Sequence, residues 1–410
     1  MKRIILTVTL LLAGMAVFAQ DLSYYTREYE RGDGSFAERL AVLETLQEAG
    51  VQATGVFYNN ALKFLLLRAP DIDSRREQEA AEKSVVILAQ ALGAAKHTAA
   101  AADLWHAAEV FDVVREPPKD PSEGLAMQAA IIALGDVDGK AYIPHIVQRL
   151  ADYNTQTYRN AETRRRVQTA VIGCIRALET FKDASGYRPV FFAYTGSWDP
   201  MIKQIAGNAL PNISEDPADV IIEIIRDPSV EPPIKLEAWR EMLKTRAPNA
   251  SKAKVASVAL EIGWLVQTTS RPHQNNLREM RKSAIDIIRQ FGASGETVYA
   301  DLEKSYSNNF ISNQPDFDEI AGVLNTLAAL KTEEAVALLH KFLFELHSRR
   351  RSGPWRNKER QLFEWVVSSV GVTGTRSPEV RLLLSTIQRS DQYTSQERTM
   401  ARNALNALGN

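Results

Sequence analysis

The chain has 410 residues, a formal net charge of −1 and a single cysteine. The balanced charge excludes a broadly polybasic nucleic-acid binder, and one cysteine cannot form an intrachain disulfide. Stability must therefore come from a buried core. Cys174 lies in the apolar context VIGCIRAL and is interpreted as a small buried hydrophobe rather than a reactive thiol.

The first 19 residues are typical of a secretory signal peptide. Lys2 and Arg3 precede an apolar stretch from Ile4 to Phe18, and the small residue Ala19 follows it. A membrane-spanning helix needs about 20 apolar residues, so the shorter stretch favours cleavage after Ala19 over an uncleaved anchor. We therefore expect a periplasmic or secreted protein with no transmembrane segment in the mature chain and no nucleic-acid partner.

Residues 20–34 are assigned to an N-terminal extension, and helical signals begin at residue 35. Apolar residues then recur at the spacing of one helix face. Ser35 with Glu38 and Thr394 with Glu397 have capping-box spacing. Three further helix starts are predicted where an N-cap residue precedes proline: Asp199-Pro200, Asp216-Pro217 and Ser377-Pro378. These signals predict an all-α chain of about 18 to 20 helices.

Ten segments rich in small and apolar residues mark an internal period. Each is interpreted as the end of a helix, and their spacing averages roughly 40 residues, as in two-helix repeats. We refer to them as the landmarks: LQEAG at Gly50, LAQALG at Gly93, AIIALGD at Gly135, CIRALET near Glu179, GNALPNIS at Pro211, REMLKTRAP near Ala247, IIRQFGASGE at Gly292, NTLAALKTEE at Lys331, VVSSVGVTGT at Gly371 and NALNALGN at Gly409.

The stretch AIIALGDVDGKAYIPHIVQRL resembles a HEAT repeat, and LNTLAALKTEEAVALLHKFL resembles a second copy. The match is carried by Ala130, Ala133, Leu134, Gly135, Asp136, Ile143, Pro144 and Leu150, and then by Leu327, Ala329, Leu330, Ala335, Leu338 and Leu339. The resemblance implies a right-handed α-solenoid of about nine HEAT-like helical pairs, curved into a superhelix over residues 35–410 and irregular around 183–215. It also implies that each landmark helix is the first of its pair, so that the final pair lacks its second helix or serves as a cap.

The turn Asp136-Val137-Asp138-Gly139 begins like a calcium loop. Lys140 then falls where an oxygen ligand is needed, and Ala141 falls where the turn glycine belongs. The sequence therefore predicts a turn between helices. The six histidines, at 97, 106, 145, 273, 340 and 347, lack metal-ligand spacing. We predict no metal and no cofactor.

One basic cluster is the candidate partner-binding site, in the stretch HSRRRSGPWRNKER. It comprises Arg349, Arg350, Arg351, Trp355, Arg356, Lys358 and Arg360. Arginine with tryptophan is enriched at interface hot spots, although runs of charge are usually solvated loops. An acidic protein, a headgroup or a cell-wall polymer would complement it. A shorter run at Arg164–Arg166 lacks the tryptophan.

No catalytic signature is present in the sequence, since G-x-S-x-G, H-E-x-x-H and phosphate-loop patterns are absent. We predict a non-enzymatic exported scaffold that binds another envelope protein through an extended solenoid surface. One alternative is a polymer or headgroup binder that uses the Arg349–Arg360 cluster. Another is an enzyme or small-ligand binder that uses residues 187–200 and Trp239, although the aromatic segment Tyr187–Trp198 fits core packing better.

Overall fold

The computed structural model describes residues 22–49, 53–114 and 123–408. It is 79% helical, and these described residues contain no strand, which confirms the all-α prediction. The predicted signal peptide, residues 1–19, lies outside them. No helix within the described ranges has the length and apolar character needed to cross a membrane. Two compact units follow each other along the chain, the first ending at Glu215 and the second beginning at Asp216.

Helices of the first unit form two layers, and successive helices alternate between them. The even layer contains α2 (Phe36–Glu48), α4 (Arg75–Ala94), α6 (Leu125–Asp136), α8 (Ala161–Phe181) and α10 (Pro200–Ile213). The odd layer contains α1 (described over 22–29), α3 (Gly55–Arg68), α5 (Ala101–Val110), α7 (Ile143–Thr155) and α9 (Tyr187–Thr195). Such alternation is the packing of a helical-repeat array, in which each pair covers the apolar faces of its neighbours.

The second unit repeats this two-layer arrangement. Its odd layer contains α11 (Ala218–Arg226), α13 (Asn249–Leu265), α15 (Val298–Ile311), α17 (Glu333–Ser352) and α19 (Pro378–Arg389). Its even layer contains α12 (Pro232–Lys244), α14 (Arg271–Phe291), α16 (Phe317–Leu330), α18 (Asn357–Thr373) and α20 (Ser395–Ala407). The described residues thus hold 20 helices, within the predicted range. The pairs α3/α4 to α19/α20 correspond to the predicted number of helical pairs.

The eight landmarks from Gly93 to Gly371 fall at the C-terminal ends of even helices, so within each unit the sequence period traces one layer. Gly50 and Gly409, which mark the first and last landmarks, lie outside the described residues. The predicted order within a pair was wrong. In the first unit α6 packs on α5, α4 and α8, whereas α7 packs on α8 and α9. The landmark helix is therefore the second of its pair, because it packs on the helix before it. The last pair, α19/α20, accordingly has both of its helices.

Small landmark residues allow the even helices to approach closely. Gly135 lies inside α6, and a Cβ there would be 3.0 Å from the Cβ of Thr180 on α8. On α8 itself, a Cβ at Gly173 would be 3.1 Å from the Cα of Gln128 on α6. The glycine of the ALG pattern therefore serves helix–helix packing rather than helix termination.

A buried ion pair joins three helices of the second unit. Arg281 of α14 donates from Nε and Nη2 to the two carboxylate oxygens of Glu319 on α16, at 2.8 and 3.1 Å. Its Nη1 donates to the carbonyl oxygen of Gly263 on α13 at 2.9 Å. The guanidinium also lies 3.8 Å from the ring centroid of Trp264. Glycine at position 263 leaves room for the Arg281 side chain, because a Cβ there would lie 2.4 Å from the Arg281 Cγ atom.

The helices begin at the predicted positions with one exception. Both capping boxes are present, and α10 and α19 begin at the predicted prolines after Asp199 and Ser377. At Asp216-Pro217 the helix begins one residue later, at Ala218. There Asp216 Oδ1 accepts a hydrogen bond from the Ala218 backbone at 3.3 Å.

Candidate functional site

The predicted basic cluster is divided between a helix end and the start of the next helix. Arg349, Arg350 and Arg351 occupy the last turn of α17 rather than a loop. The Arg349 guanidinium lies 4.3 Å from the ring centroid of Phe310 and pairs with Glu345 at 3.3 Å. Arginines at a helix C-terminus also complement the helix dipole, so this run has a structural role.

Lys358 and Arg360, near the start of α18, contact neighbouring repeats. Lys358 Nζ donates to the carbonyl oxygens of Phe310 and Ser312, at 3.2 and 3.1 Å. It therefore supplies hydrogen bonds to carbonyl groups at the C-terminal end of α15. Arg360 Nε lies 3.4 Å from Oε1 of the buried Glu397, while the Arg360 side chain stays 55% exposed. These two cations therefore stabilise the fold as well as facing solvent.

Trp355 lies in an aromatic cluster rather than projecting as a free anchor. Its ring centroid is 4.6 Å from that of Phe363 and 5.5 Å from that of Tyr393. Arg350 covers it, with Cζ 5.5 Å from the Trp355 ring centroid. His347 completes the cluster, since its Nδ1 lies 2.8 Å from the Tyr393 hydroxyl. Desolvation by burial, and secondarily the nearby Arg351, lowers the pKa of His347.

Arg351 and Arg356 differ from the other members. Both are exposed, and within the described ranges neither side chain has an ion-pair partner. The backbone N–H of Arg356 donates to the Glu359 carboxylate at 2.8 Å. The Arg356 side chain does not take part in this bond and lies on the surface. Of the seven predicted residues, these two are the most available to a partner.

Sequence reasoning missed Ile311, which lies beside this cluster and is 70% exposed. It is the last residue of α15, and its neighbours Phe310 and Ser312 are the residues that Lys358 contacts. Nothing in the local sequence indicates this proximity, because the contacting residues are 46 and 48 positions apart.

The D-V-D-G turn is a helix C-cap, as predicted. Asp138 has a left-handed backbone with φ of 59°, and the Gly139 N–H donates to the Leu134 carbonyl oxygen at 2.8 Å. Lys140 Nζ lies 2.9 Å from Asp138 Oδ1. Lysines 96 and 182 adopt the same left-handed conformation at the ends of α4 and α8. The turn therefore does not require a carboxylate at position 138.

The segment proposed for a ligand pocket is largely core. Tyr187, Val190 and Phe191 of α9 are buried, and Trp198 donates from Nε1 to Asn154 at 2.8 Å. In the second unit Trp239 is fully buried and donates to Ser283 at 2.5 Å. The thiol of Cys174 is also buried, and burial raises its pKa to about 12.

A groove that the sequence reading did not identify runs between α4 and α6 on the even layer of the first unit. Two cavities of about 270 and 190 Å³ share Val86 and Leu125 as lining residues. Ala129 and Ile132 line the second cavity, and Leu125 is 47% exposed. The α6 sequence LAMQAAIIALGD could have indicated this groove, because a helix that is apolar on all sides must bury more than one face against other groups.

No family model matches this chain, and no curated protein matches it. Among solved structures, it is similar to human deoxyhypusine hydroxylase in complex with glycerol. The sequences are 16% identical, and the match covers 96% of this chain and 98% of that chain with a TM-score of 0.26. A similarity at this level supports no inference about activity. The HEAT-like, all-α repeat architecture is therefore assigned from the helix packing within each unit.

Proposed function

We propose that this chain is a non-enzymatic scaffold that binds another protein of the cell envelope through its even helix layer. The observation that carries the proposal is the α4–α6 groove, whose side chains Val86, Leu125 and Ile132 are apolar and partly exposed. An exposed apolar patch rimmed by polar residues is typical of protein-interaction sites.

Hydrogen bonds and ion pairs between successive repeats would hold such a surface in a fixed shape. In the first unit Arg165 of α8 pairs with Glu123, two residues before α6, at 2.6 Å, and the two are 42 positions apart. In the odd layer of that unit Lys63 of α3 lies 3.7 Å from Asp103 of α5. Preformed surfaces lose less conformational entropy on binding, which favours affinity.

Cross-linked pull-down of the full chain from the native envelope fraction tests the scaffold function. We expect Leu125→Glu with Ile132→Glu to abolish capture of the partner, because charge would replace the apolar lining of the groove. Leu67→Glu is the matched control, since Leu67 lies on α3 of the odd layer and is 76% exposed. Equal capture by both variants would contradict the proposal.

Export is proposed from the N-terminal sequence alone. The expected outcome is a mature chain that begins at Gln20 and is recovered outside the cytoplasm. Cell fractionation followed by N-terminal sequencing measures this directly. A chain recovered with Met1 in the cytoplasmic fraction would show that the protein is not exported.

A second candidate function is binding of an anionic polymer or headgroup by the basic cluster. The exposed Arg351 and Arg356 support it, because each presents a guanidinium without an ion-pair partner in the described structure. Binding of soluble polyphosphate, measured by calorimetry, tests it. Arg351→Glu with Arg356→Glu should weaken binding strongly, whereas Arg376→Glu, in the loop between α18 and α19, should not.

A further inference from the structure

An exposed aliphatic side chain lies among cations at one edge of the second unit. Ile311 is 70% exposed, and Lys358 donates to the carbonyl oxygens on either side of it, those of Phe310 and Ser312. Arg349 lies over the Phe310 ring at 4.3 Å and is itself 45% exposed. A branched aliphatic residue in contact with water therefore lies between two residues that basic side chains contact.

The repeat topology places further residues at the same edge. Odd helices are every second helix of the array, so α13, α15 and α17 run in the same direction and end at the same edge. Arg351 lies in the last turn of α17, and Arg356 is the N-cap residue of α18. Leu265 ends α13 and is 64% exposed. The edge thus combines exposed aliphatic and exposed basic residues.

Acidic residues at this edge do not cancel its positive charge. Glu359 and Glu397 are 9% and 2% exposed, so they are largely withdrawn from solvent. The more exposed acids are paired: Glu345 with Arg349 at 3.3 Å, Asp391 with Arg398 at 3.2 Å, and Asp318, at the start of α16, with Lys282 at 3.1 Å. Arg351 and Arg356 therefore supply charge that an anionic partner would neutralise.

We propose that this edge docks on the surface of an anionic phospholipid membrane. Ile311 enters the boundary between headgroups and acyl chains, and Arg351 and Arg356 bind lipid phosphates. Peripheral membrane binding combines these two terms, apolar insertion and attraction to anionic lipid. The inference rests on the second candidate function and specifies its ligand. A soluble polyanion would satisfy the arginines but would leave Ile311 in water.

Vesicle sedimentation tests the proposal with the mature chain, which is expected to begin at Gln20, so that the apolar stretch from Ile4 to Phe18 does not itself bind the vesicles. The vesicles contain phosphatidylcholine alone or with phosphatidylglycerol. We expect binding only to the anionic vesicles. Ile311→Gln should weaken it about tenfold through lost burial of apolar surface. Arg351→Glu with Arg356→Glu should weaken it by about 25-fold or more, since each cation near an anionic surface contributes about fivefold.

Two control variants separate this edge from general surface effects. Leu382→Gln changes an aliphatic residue of α19 that is also 70% exposed, and Arg376→Glu reverses an exposed charge in the loop between α18 and α19. Both should bind like the wild type. Circular dichroism verifies that each variant is folded.

Three outcomes would overturn the proposal. They are equal binding to both vesicle types, wild-type affinity of Ile311→Gln, or an equal loss in the Arg376→Glu control. Binding of soluble polyphosphate distinguishes a failure of the membrane proposal from a failure of anion binding by the basic cluster. If polyphosphate binds and depends on Arg351 and Arg356 while vesicles do not bind, anion recognition stands and the membrane inference is wrong.

Discussion

Replacing Arg281 with methionine is expected to destabilise the second unit by about 3–5 kcal/mol. Methionine preserves most of the apolar stem, which packs beside Gly263, but removes the guanidinium that lies over Trp264. The side chain of Glu319 has 0% exposure, so its charge would remain buried without the cation that accompanies it. The Gly263 carbonyl oxygen would also lose its hydrogen bond, and a buried unpaired acceptor costs about 1–3 kcal/mol.

Lys282 provides a matched control on the next position of α14. It pairs with Asp318 at 3.1 Å, and the two side chains are 35% and 86% exposed. Lys282 also lies 3.5 Å from Asp316, which would keep Arg278 at 3.7 Å. Lys282→Met should therefore cost only about 0–1 kcal/mol, the range of exposed ion pairs. Arg281→Met combined with Glu319→Leu should recover much of the loss, because no buried charge is left unpaired.

Urea unfolding followed by circular dichroism gives the stability change for each variant. Hydrogen exchange locates that change, and protection should fall in α13, α14 and α16, the helices that Arg281 joins. A cost for Arg281→Met below about 1 kcal/mol, equal to that of Lys282→Met, would refute the reasoning. It would mean that solvent or local rearrangement compensates the Glu319 charge.

Three further predictions follow from packing and titration. Gly173→Ala should destabilise the fold by about 1–3 kcal/mol, because the added Cβ would lie 3.1 Å from the Cα of Gln128. Gly322→Ala should be neutral or stabilise the fold by up to about 1 kcal/mol, because the atom nearest to its added Cβ lies at an ordinary contact distance of 3.4 Å. Thermal melts compare the two, and equal shifts would argue against close helix contact. Cys174 should react with a thiol reagent only in denaturant, since burial raises its pKa to about 12; prompt labelling of the folded chain would contradict its burial. Burial lowers the pKa of His347 in the folded state, so stability should fall as the pH drops through about 6.5, where the unfolded histidine binds a proton more readily. Urea midpoints at pH 7.5 and 5.5 should show a smaller pH effect in His347→Asn, and an unchanged effect would count against this assignment.

The sequence was most informative about the even layer. Its landmarks combine alanine, leucine and glycine because the helices of that layer pack at short distances, as at Gly135. The order within a pair was not predictable from the same signal. The HEAT resemblance placed the landmark helix first in its pair, before the short connection from α6 to α7, yet α6 packs on α5. Connection length does not determine which neighbouring helix shares the larger apolar face.

Residue composition predicted the candidate site, but tertiary contacts give most of its residues a structural role. Arginine and tryptophan marked the cluster, but Lys358 contacts carbonyl oxygens 46 and 48 positions away. Trp355 likewise packs on Tyr393, which precedes a different helix. Such partners come from adjacent repeats, so a local reading could not separate the exposed Arg351 and Arg356 from cations with structural roles.

The contacts between repeats have a consequence for how the chain reaches this structure. Trp239 bonds to Ser283 across 44 positions, Trp264 to Ser305 across 41, and Arg240 to Glu279 across 39. Each bond closes a chain segment of roughly one repeat, so the contact order of these units is low for their size, and loop closure is entropically inexpensive at every step. Folding can then begin at several pairs and spread to adjacent ones. A newly synthesised stretch would find its packing partners within the preceding repeat and would not have to wait for distant parts of the chain.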